Sequence, residues 1–321
     1  MTRTTKAPVE KMSSKMERAA STTDMNEIRH ILKHAQQFDT FVVGALALNK
    51  RLQHHDRFAR EMQHRILNSR FAKKEYHYMA ARDIATITQD KGVQIKIIHI
   101  DDWVVRQNLA RSEHLLPELQ PRLARHANHG EVKLALLERK DLQMGVRHKL
   151  LTNLTEGEIR KIVKNIDHFD VQVVAGLMSN KRMQHHDEFS TEMQQAILDS
   201  RFAKKEHNYA AAREIAKVAR DKGVQSRILY GKDERSQQSL AKNSHLIPEL
   251  QRELVHNALS MDVKILLYHR TDILSNVKKG LLSDPHFATK VTKGMHPQEG
   301  LLRTTQHHPH TGGINLRAIA D

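Results

Sequence analysis

His54-His55-Asp56-Arg57-Phe58-Ala59-Arg60-Glu61-Met62-Gln63-His64-Arg65-Ile66-Leu67 returns, with the same spacing of apolar residues, as His185-His186-Asp187-Glu188-Phe189-Ser190-Thr191-Glu192-Met193-Gln194-Gln195-Ala196-Ile197-Leu198. Phe58, Met62, Ile66 and Leu67 recur at helical spacing, and Asp56 stands where a helix N-cap belongs. Both strings therefore read as amphipathic helices. Extending the alignment in both directions, Phe38 to Gln94 matches Phe169 to Gln225 with a constant offset of 131 and no gap, and 36 of the 57 pairs are identical. Self-similarity at a fixed period is the signature of an architecture made by stacking like units.

The same reading continues past the break at Asn68-Ser69. Lys73 to Thr88 is expected to form a second helix, with Tyr78, Ala81, Ile84 and Ala85 on one stripe, and Gly92 is expected to end it as a left-handed C′ residue with Val93 as its apolar contact. Copy two carries Tyr209, Ala212, Ile215, Ala216 and Gly223 at the matching places. Neither copy contains the apolar-polar alternation of a strand. The expected fold is all-α, an α-solenoid of stacked antiparallel helices built by tandem duplication of a 131-residue unit. Its expected parts are a disordered tail over 1–27, repeat units over 28–158 and 159–289, and a largely disordered tail over 290–321.

Composition agrees with a high-surface helical array. The chain has 321 residues, 39% apolar and 28% charged, with a mean hydropathy of -0.61. Cysteine is absent, which excludes disulfides, a thiol nucleophile and Cys-ligated zinc. No apolar run approaches membrane-spanning length, and the basic N-terminus lacks an apolar signal core, so a cytoplasmic protein is expected. The formal net charge is +15, of which the stretches 1–27 and 290–321 together contribute only +3. The remaining excess sits on the repeated body, where it either serves a polyanionic partner such as nucleic acid, an anionic membrane face or an acidic protein, or is a solvated surface that keeps the protein soluble.

The second half of each copy has its own rhythm. Leu109-Ala110-Arg111-Ser112-Glu113-His114-Leu115-Leu116-Pro117-Glu118-Leu119 corresponds to Leu240-Ala241-Lys242-Asn243-Ser244-His245-Leu246-Ile247-Pro248-Glu249-Leu250. Each reads as a helix end, a polar turn, and a new helix opening on proline and glutamate, which suit the first turn and the positive end of the macrodipole. These strings resemble the HEAT-like superfamily, in particular its leucine-rich repeat variant, whose motif takes the form Leu-Ala-x-Asn-x-x-Leu-Pro-x-Glu-Leu. Leu240 to Leu250 fits it, and Leu109 to Leu119 departs by Ser112 in place of asparagine. The resemblance implies a curved stack of helices serving as a binding scaffold, and it carries no activity with it.

Four features are candidates for function. Asn49-Lys50-Arg51-Leu52-Gln53-His54-His55-Asp56 and its second copy could offer metal ligands, but adjacent histidines on a helix diverge by about 100°. A capped turn explains the string, and no metal or other cofactor is expected. Ser69-Arg70-Phe71-Ala72-Lys73-Lys74-Glu75 is repeated unchanged from Ser200 to Glu206. On the helix expected there, Lys73 and Lys74 oppose the macrodipole, which a bound anion would offset. Arg70, Lys73, Lys74, Arg201, Lys204 and Lys205 are thus the expected anion- or nucleic-acid-binding residues. Asp101-Asp102-Trp103 faces Lys232-Asp233-Glu234 in the alignment, and Trp103, the only tryptophan, is a possible interface anchor. A carboxylate beside a tryptophan also resembles the cleft of HEAT-like DNA glycosylases, although the surrounding sequence does not match them. His307, His308 and His310 lie in the C-terminal stretch and could bind metal weakly.

The expected function is non-enzymatic, with no catalytic residue assigned: a helical-repeat scaffold engaging a polyanion, nucleic acid foremost. The alternatives are a protein-protein adaptor and, third, a DNA-lesion-processing enzyme of the glycosylase type.

Overall fold

The computed structural model describes residues 12–34 and 40–292, and every regular element among them is helical. By compactness the chain divides into two units, Met1–Asn180 and Lys181–Asp321.

The described part of the first unit runs through α1 (Met12–Ser21), α2 (Met25–Lys33), α3 (Thr40–Ala47), α4 (Arg57–Asn68), α5 (Met79–Ile87), α6 (Lys91–Ile98) and α7 (Trp103–Arg111). It continues with α8 (Gln120–Arg125), α9 (Gly130–Leu137), α10 (Met144–Thr152), α11 (Glu156–Lys164) and α12 (Val171–Gly176). Helices two apart in sequence stack on each other. One row runs α1, α3, α5, α7, α9, and a second pairs α2 with α4, α4 with α6, α8 with α10 and α10 with α12. None of these helices exceeds 12 residues. Such lengths are marginal in isolation, so packing rather than propensity sustains them. Ala80, Ala81, Ile84 and Ala85 of α5 are buried, and the small alanines let neighbouring helices approach closely.

The second unit repeats the plan with α13 (Glu188–Asp199), α14 (Ala210–Val218), α15 (Lys222–Leu229), α16 (Glu234–Lys242), α17 (Pro248–His256), α18 (Met261–Tyr268), α19 (Ser275–Leu282) and α20 (Pro285–Thr292). α14, α16 and α18 form one row, and α13, α15, α17 and α19 the other. α4 and α13, like α6 and α15, have the same bounds once the 131-residue offset is applied. α8 and α17 do not. Pro121 stands where copy two has Arg252, and a proline nitrogen cannot donate to the carbonyl of Pro117, so the continuous helix from Pro248 becomes a 3-10 turn, Pro117–Leu119, followed by α8.

Several expectations are corrected. The stretch 1–27 is helical from Met12: Ala19 and Ile28 are fully buried, Asp24 caps α2 by accepting from Asn26 N at 2.8 Å, and Asn49 Nδ2 donates to Ala19 O and Thr22 O. Helix α20 extends into the stretch 290–321 and anchors on Phe287, whose side chain is fully buried. Residues 1–11 and 293–321, with His307, His308 and His310, lie outside the described residues. The compact units part after Asn180, whose Nδ2 donates to Leu151 O and Leu154 O. Gly92 does not end a helix. It lies in the first turn of α6, which Asp90 caps by accepting from Val93 N at 2.9 Å, and Gly223 and Asp221 do the same for α15.

A ladder of buried amides ties successive turns together. Gln94 Nε2 donates to Thr88 O and His114 O while its Oε1 accepts from Leu116 N, and Gln225 makes the matching bonds to Ala219 O, His245 O and Ile247 N. Gln120 and Gln251 clamp the next turns through Asp141 O and Gln143 N, and through Asp272 O and Leu274 N. Asn243, the motif asparagine, donates to Ala216 O and Ala219 O, and Ser112 keeps one such bond, to Thr86 O at 2.9 Å. Short loops leave backbone carbonyls and amides without helical partners, and these side chains supply them. No helix among the described residues is long and apolar enough to cross a membrane.

Asp83 on α5 is a partly buried carboxyl. Its Oδ2 lies 3.4 Å from where a Cβ on Gly44 would sit, and burial pushes its carboxyl up to about 6 from 3.8 against the opposing pull of Arg82. A folded-state pKa raised in this way favours folding at low pH, an advantage lost as the pH rises from about 4 through 6. Asp83→Asn is expected to raise stability by about 1–2 kcal/mol at neutral pH, after allowance for solvent screening. Urea denaturation at pH values of about 4 and 7.5 measures it, and equal gains at both would refute the assignment.

Candidate functional site

The loop after α4, and its copy after α13, is built from two consecutive 3-10 turns rather than the start of an α-helix. Arg70–Ala72 and Lys74–Tyr76 correspond to Arg201–Ala203 and Lys205–His207. Two residues in left-handed conformation then redirect the chain: His77 and Tyr78 (φ 49° and 54°), and Asn208 and Tyr209 (φ 52° and 53°). Non-glycine residues there cost about 1–2 kcal/mol each. The conformation is over-determined by hydrogen bonds, since Lys204 O accepts from both His207 N and Tyr209 N, and Lys73 O accepts from Tyr76 N and Tyr78 N.

This geometry corrects the physical basis of the expected anion site. Lys73 and Lys74 do not occupy the first turn of an α-helix, and the amides of Lys73, Tyr76, His77 and Tyr78 are spent inside the loop. The helix expected from Lys73 to Thr88 begins only at Met79. Arg70 and Arg201 lie over the rings of Phe71 and Phe202, each guanidinium carbon 4.9 Å from the ring centre. Such stacking holds the charge at the surface.

What gathers the cations in the second unit is a cavity of about 420 Å³. Leu198, Ala203, Ala212 and Ile228 supply its apolar wall, and Lys204, Lys205, Arg227 and Lys232 its charge. Among the described residues, no carboxylate oxygen comes within 4.0 Å of the ammonium groups of Lys204, Lys205 or Lys232, nor of Lys73 or Lys74. Arg227 is paired with Asp199, and Asp233 with Arg213. Asp233 is deeply engaged: Arg213 Nε and Nη2 donate to it at 2.8 and 2.9 Å, and Ser236 N and Oγ at 2.8 and 2.7 Å. Burial works against its charge, but these donors outweigh burial and hold the carboxyl below the usual range. Lys204 and Lys205 were legible in the sequence. Arg227 and Lys232 were not, although the change from Ile100-Asp101 in copy one to Gly231-Lys232 in copy two was a signal to follow.

Asp56, Asp187 and Asp102 serve as helix caps. Asp56 caps α4 through Ala59 N at 2.8 Å and pairs with Arg51 at 2.6 Å, and the Arg51 bond followed by that amide holds its carboxyl below the usual range. Asp187 caps α13 through Ser190 N at 2.9 Å and pairs with Arg182. The string beside each cap is the expected turn, Lys50–Gln53 and Lys181–Gln184, with all four histidines exposed. Asp102 caps α7 through Val105 N at 2.8 Å and takes Arg82 Nη2 at 3.1 Å, so its oxygens are committed to the fold. Trp103, 40% exposed, stacks on His129 with ring centres 4.3 Å apart and planes 12° from parallel.

Comparison with protein families, with curated proteins and with solved structures finds no match to this chain.

Proposed function

We propose that this protein is a non-enzymatic helical-repeat binding scaffold, of the HEAT-like kind its sequence resembles, and that its partner is a polyanion, nucleic acid first. The observation that carries the reading is the cluster of Lys204, Lys205, Arg227 and Lys232 at one cavity, with three ammonium groups that have no carboxylate of the described residues within 4.0 Å. Clustered lysines repel one another, and although Asp199 offsets part of the Lys204 charge, phosphates relieve the repulsion further while releasing condensed counterions. Lys73 and Lys74 present the same exposed pair on the first unit. Arg70 and Arg201, stacked on their aromatic rings, add positive charge at each place.

Anisotropy of labelled duplex DNA and single-stranded RNA, titrated at about 50 and 200 mM salt, tests the reading. The parent protein is expected to bind with a steep salt dependence. Lys73→Glu, Lys74→Glu, Lys204→Glu and Lys205→Glu combined should weaken binding at least about tenfold and flatten the salt slope by about 2 or more, roughly one for each phosphate no longer engaged. No binding of either probe at low salt would end the nucleic-acid reading.

A further inference from the structure

The two copies share their lysine loops but not the ground beneath them. Beside the loop of the second unit lie Gly231, Lys232 and Ser236, where the first copy has Ile100, Asp101 and Val105. Asp101 is exposed and paired with Arg106 at 3.3 Å. At these positions copy one thus places a large side chain where copy two has none, and an anion where copy two has a cation.

We propose that the cavity of the second unit, and not the corresponding place in the first, is a discrete site for a phosphomonoester carried on an apolar body of nucleotide size. The proposal deepens the polyanion reading and rests on it for the choice of phosphate as the anion. A volume of about 420 Å³ lies in the range of small-molecule sites, which run from about 300 to 1,000 Å³. The wall of Leu198, Ala203, Ala212 and Ile228 can bury a base or another flat apolar group. Tyr209, half-buried at the rim and fixed in left-handed conformation, offers a ring for stacking. Lys204, Lys205 and Lys232 all line the cavity, and among the described residues none has a carboxylate oxygen within 4.0 Å, Asp199 acting on Lys204 only from farther off; a phosphomonoester carries about −1.5 to −2 at neutral pH, enough to engage several cations at once. The carboxylate deep in the wall, Asp233, is already neutralised by the two-pronged contact with Arg213. Glu206, also on the lining, is exposed and bears on solvent. The ligand's source is either a free nucleotide or the phosphorylated 5′ end of a strand, which share this chemistry.

The test uses the full chain in calorimetric titrations with AMP, and with a DNA ten-mer bearing either a 5′-phosphate or a 5′-hydroxyl. One equivalent of AMP per chain is expected, and its affinity should fall at least about tenfold in Lys232→Asp, which writes the first copy's charge into the second. Lys73→Glu, in the first unit, should leave AMP binding unchanged. Lys232 is exposed, so circular dichroism of Lys232→Asp is expected to match the parent. A preference for the 5′-phosphorylated ten-mer that AMP competes away assigns the strand end; AMP binding with no such preference assigns the free nucleotide; both uphold the site. The proposal is overturned if AMP does not bind, or if it binds with several equivalents and ignores Lys232→Asp. Salt-dependent duplex binding without AMP binding would remove this site and keep the scaffold reading, and AMP binding without nucleic-acid binding would do the reverse.

Discussion

Gln225→Leu is expected to destabilise the protein by about 4 kcal/mol. The side chain is fully buried, its Nε2 donates to Ala219 O and His245 O at 2.8 Å each, and its Oε1 accepts from Ile247 N at 3.0 Å. Leucine nearly matches the volume and gains apolar burial, so the cost is not a cavity. It is the stranding of loop groups away from water, at about 1–3 kcal/mol for each group left unpaired. Ala219 O keeps one partner, Asn243 Nδ2 at 2.8 Å, which limits the loss there. His245 O and Ile247 N lose the clamp that sets the turn between α16 and α17. Urea denaturation followed by circular dichroism measures the change. A shift below about 1 kcal/mol would mean that water replaces the amide at little cost.

The second large effect is expected at Arg213→Ala, at about 3 kcal/mol. Arg213 and Asp233 bond through two short contacts in a place where their side chains are only 18% and 10% exposed. Removing the guanidinium leaves a carboxylate poorly solvated and without its counter-charge, the costly way to break a buried pair. Arg213 Nη2 also donates to Asn208 Oδ1 at 3.0 Å and so steadies that residue in its left-handed position, and the lysine loop loosens when this bond goes. Arg82 is the internal comparison. It meets Asp102 by a single contact of 3.1 Å, and Arg82→Ala is expected to cost about half as much. Because the Asp233 carboxyl is depressed in the folded protein, its contribution is present above the usual value of 3.8 and lost as the pH falls through the folded value. The gap between parent and Arg213→Ala should therefore shrink on acidification below that value. A gap that widened there would show that Asp233 is not the group responsible.

Helix type and caps were legible from local pattern. Asp56 and Asp187 do cap the helices that follow, and the apolar stripes of α4 and α13 are buried where their spacing put them. The lysine loop was not legible, because a left-handed pair is normally announced by glycine or asparagine, and His77-Tyr78 announces nothing. Asn208 in copy two was the available hint. Asp90-Lys91-Gly92-Val93 allowed two local readings, a helix end or a helix start, and only the clamps joining Thr88 to Gln63 and to Gln94 choose the second.

The same division holds for the candidate site. Repetition, charge and the identity of the lysines are properties of residue order, and they needed no structure to be read. The convergence of Lys204 and Lys205 with Arg227 and Lys232 was decided by packing, because those residues come from separate loops and helices that meet only when α13, α14, α15 and α16 stack. Local sequence sets which backbone conformations and caps are favourable within a turn or two of helix. Which distant charges share one cavity depends on how short, individually marginal helices bury their apolar faces against each other, and that is settled by the whole unit at once.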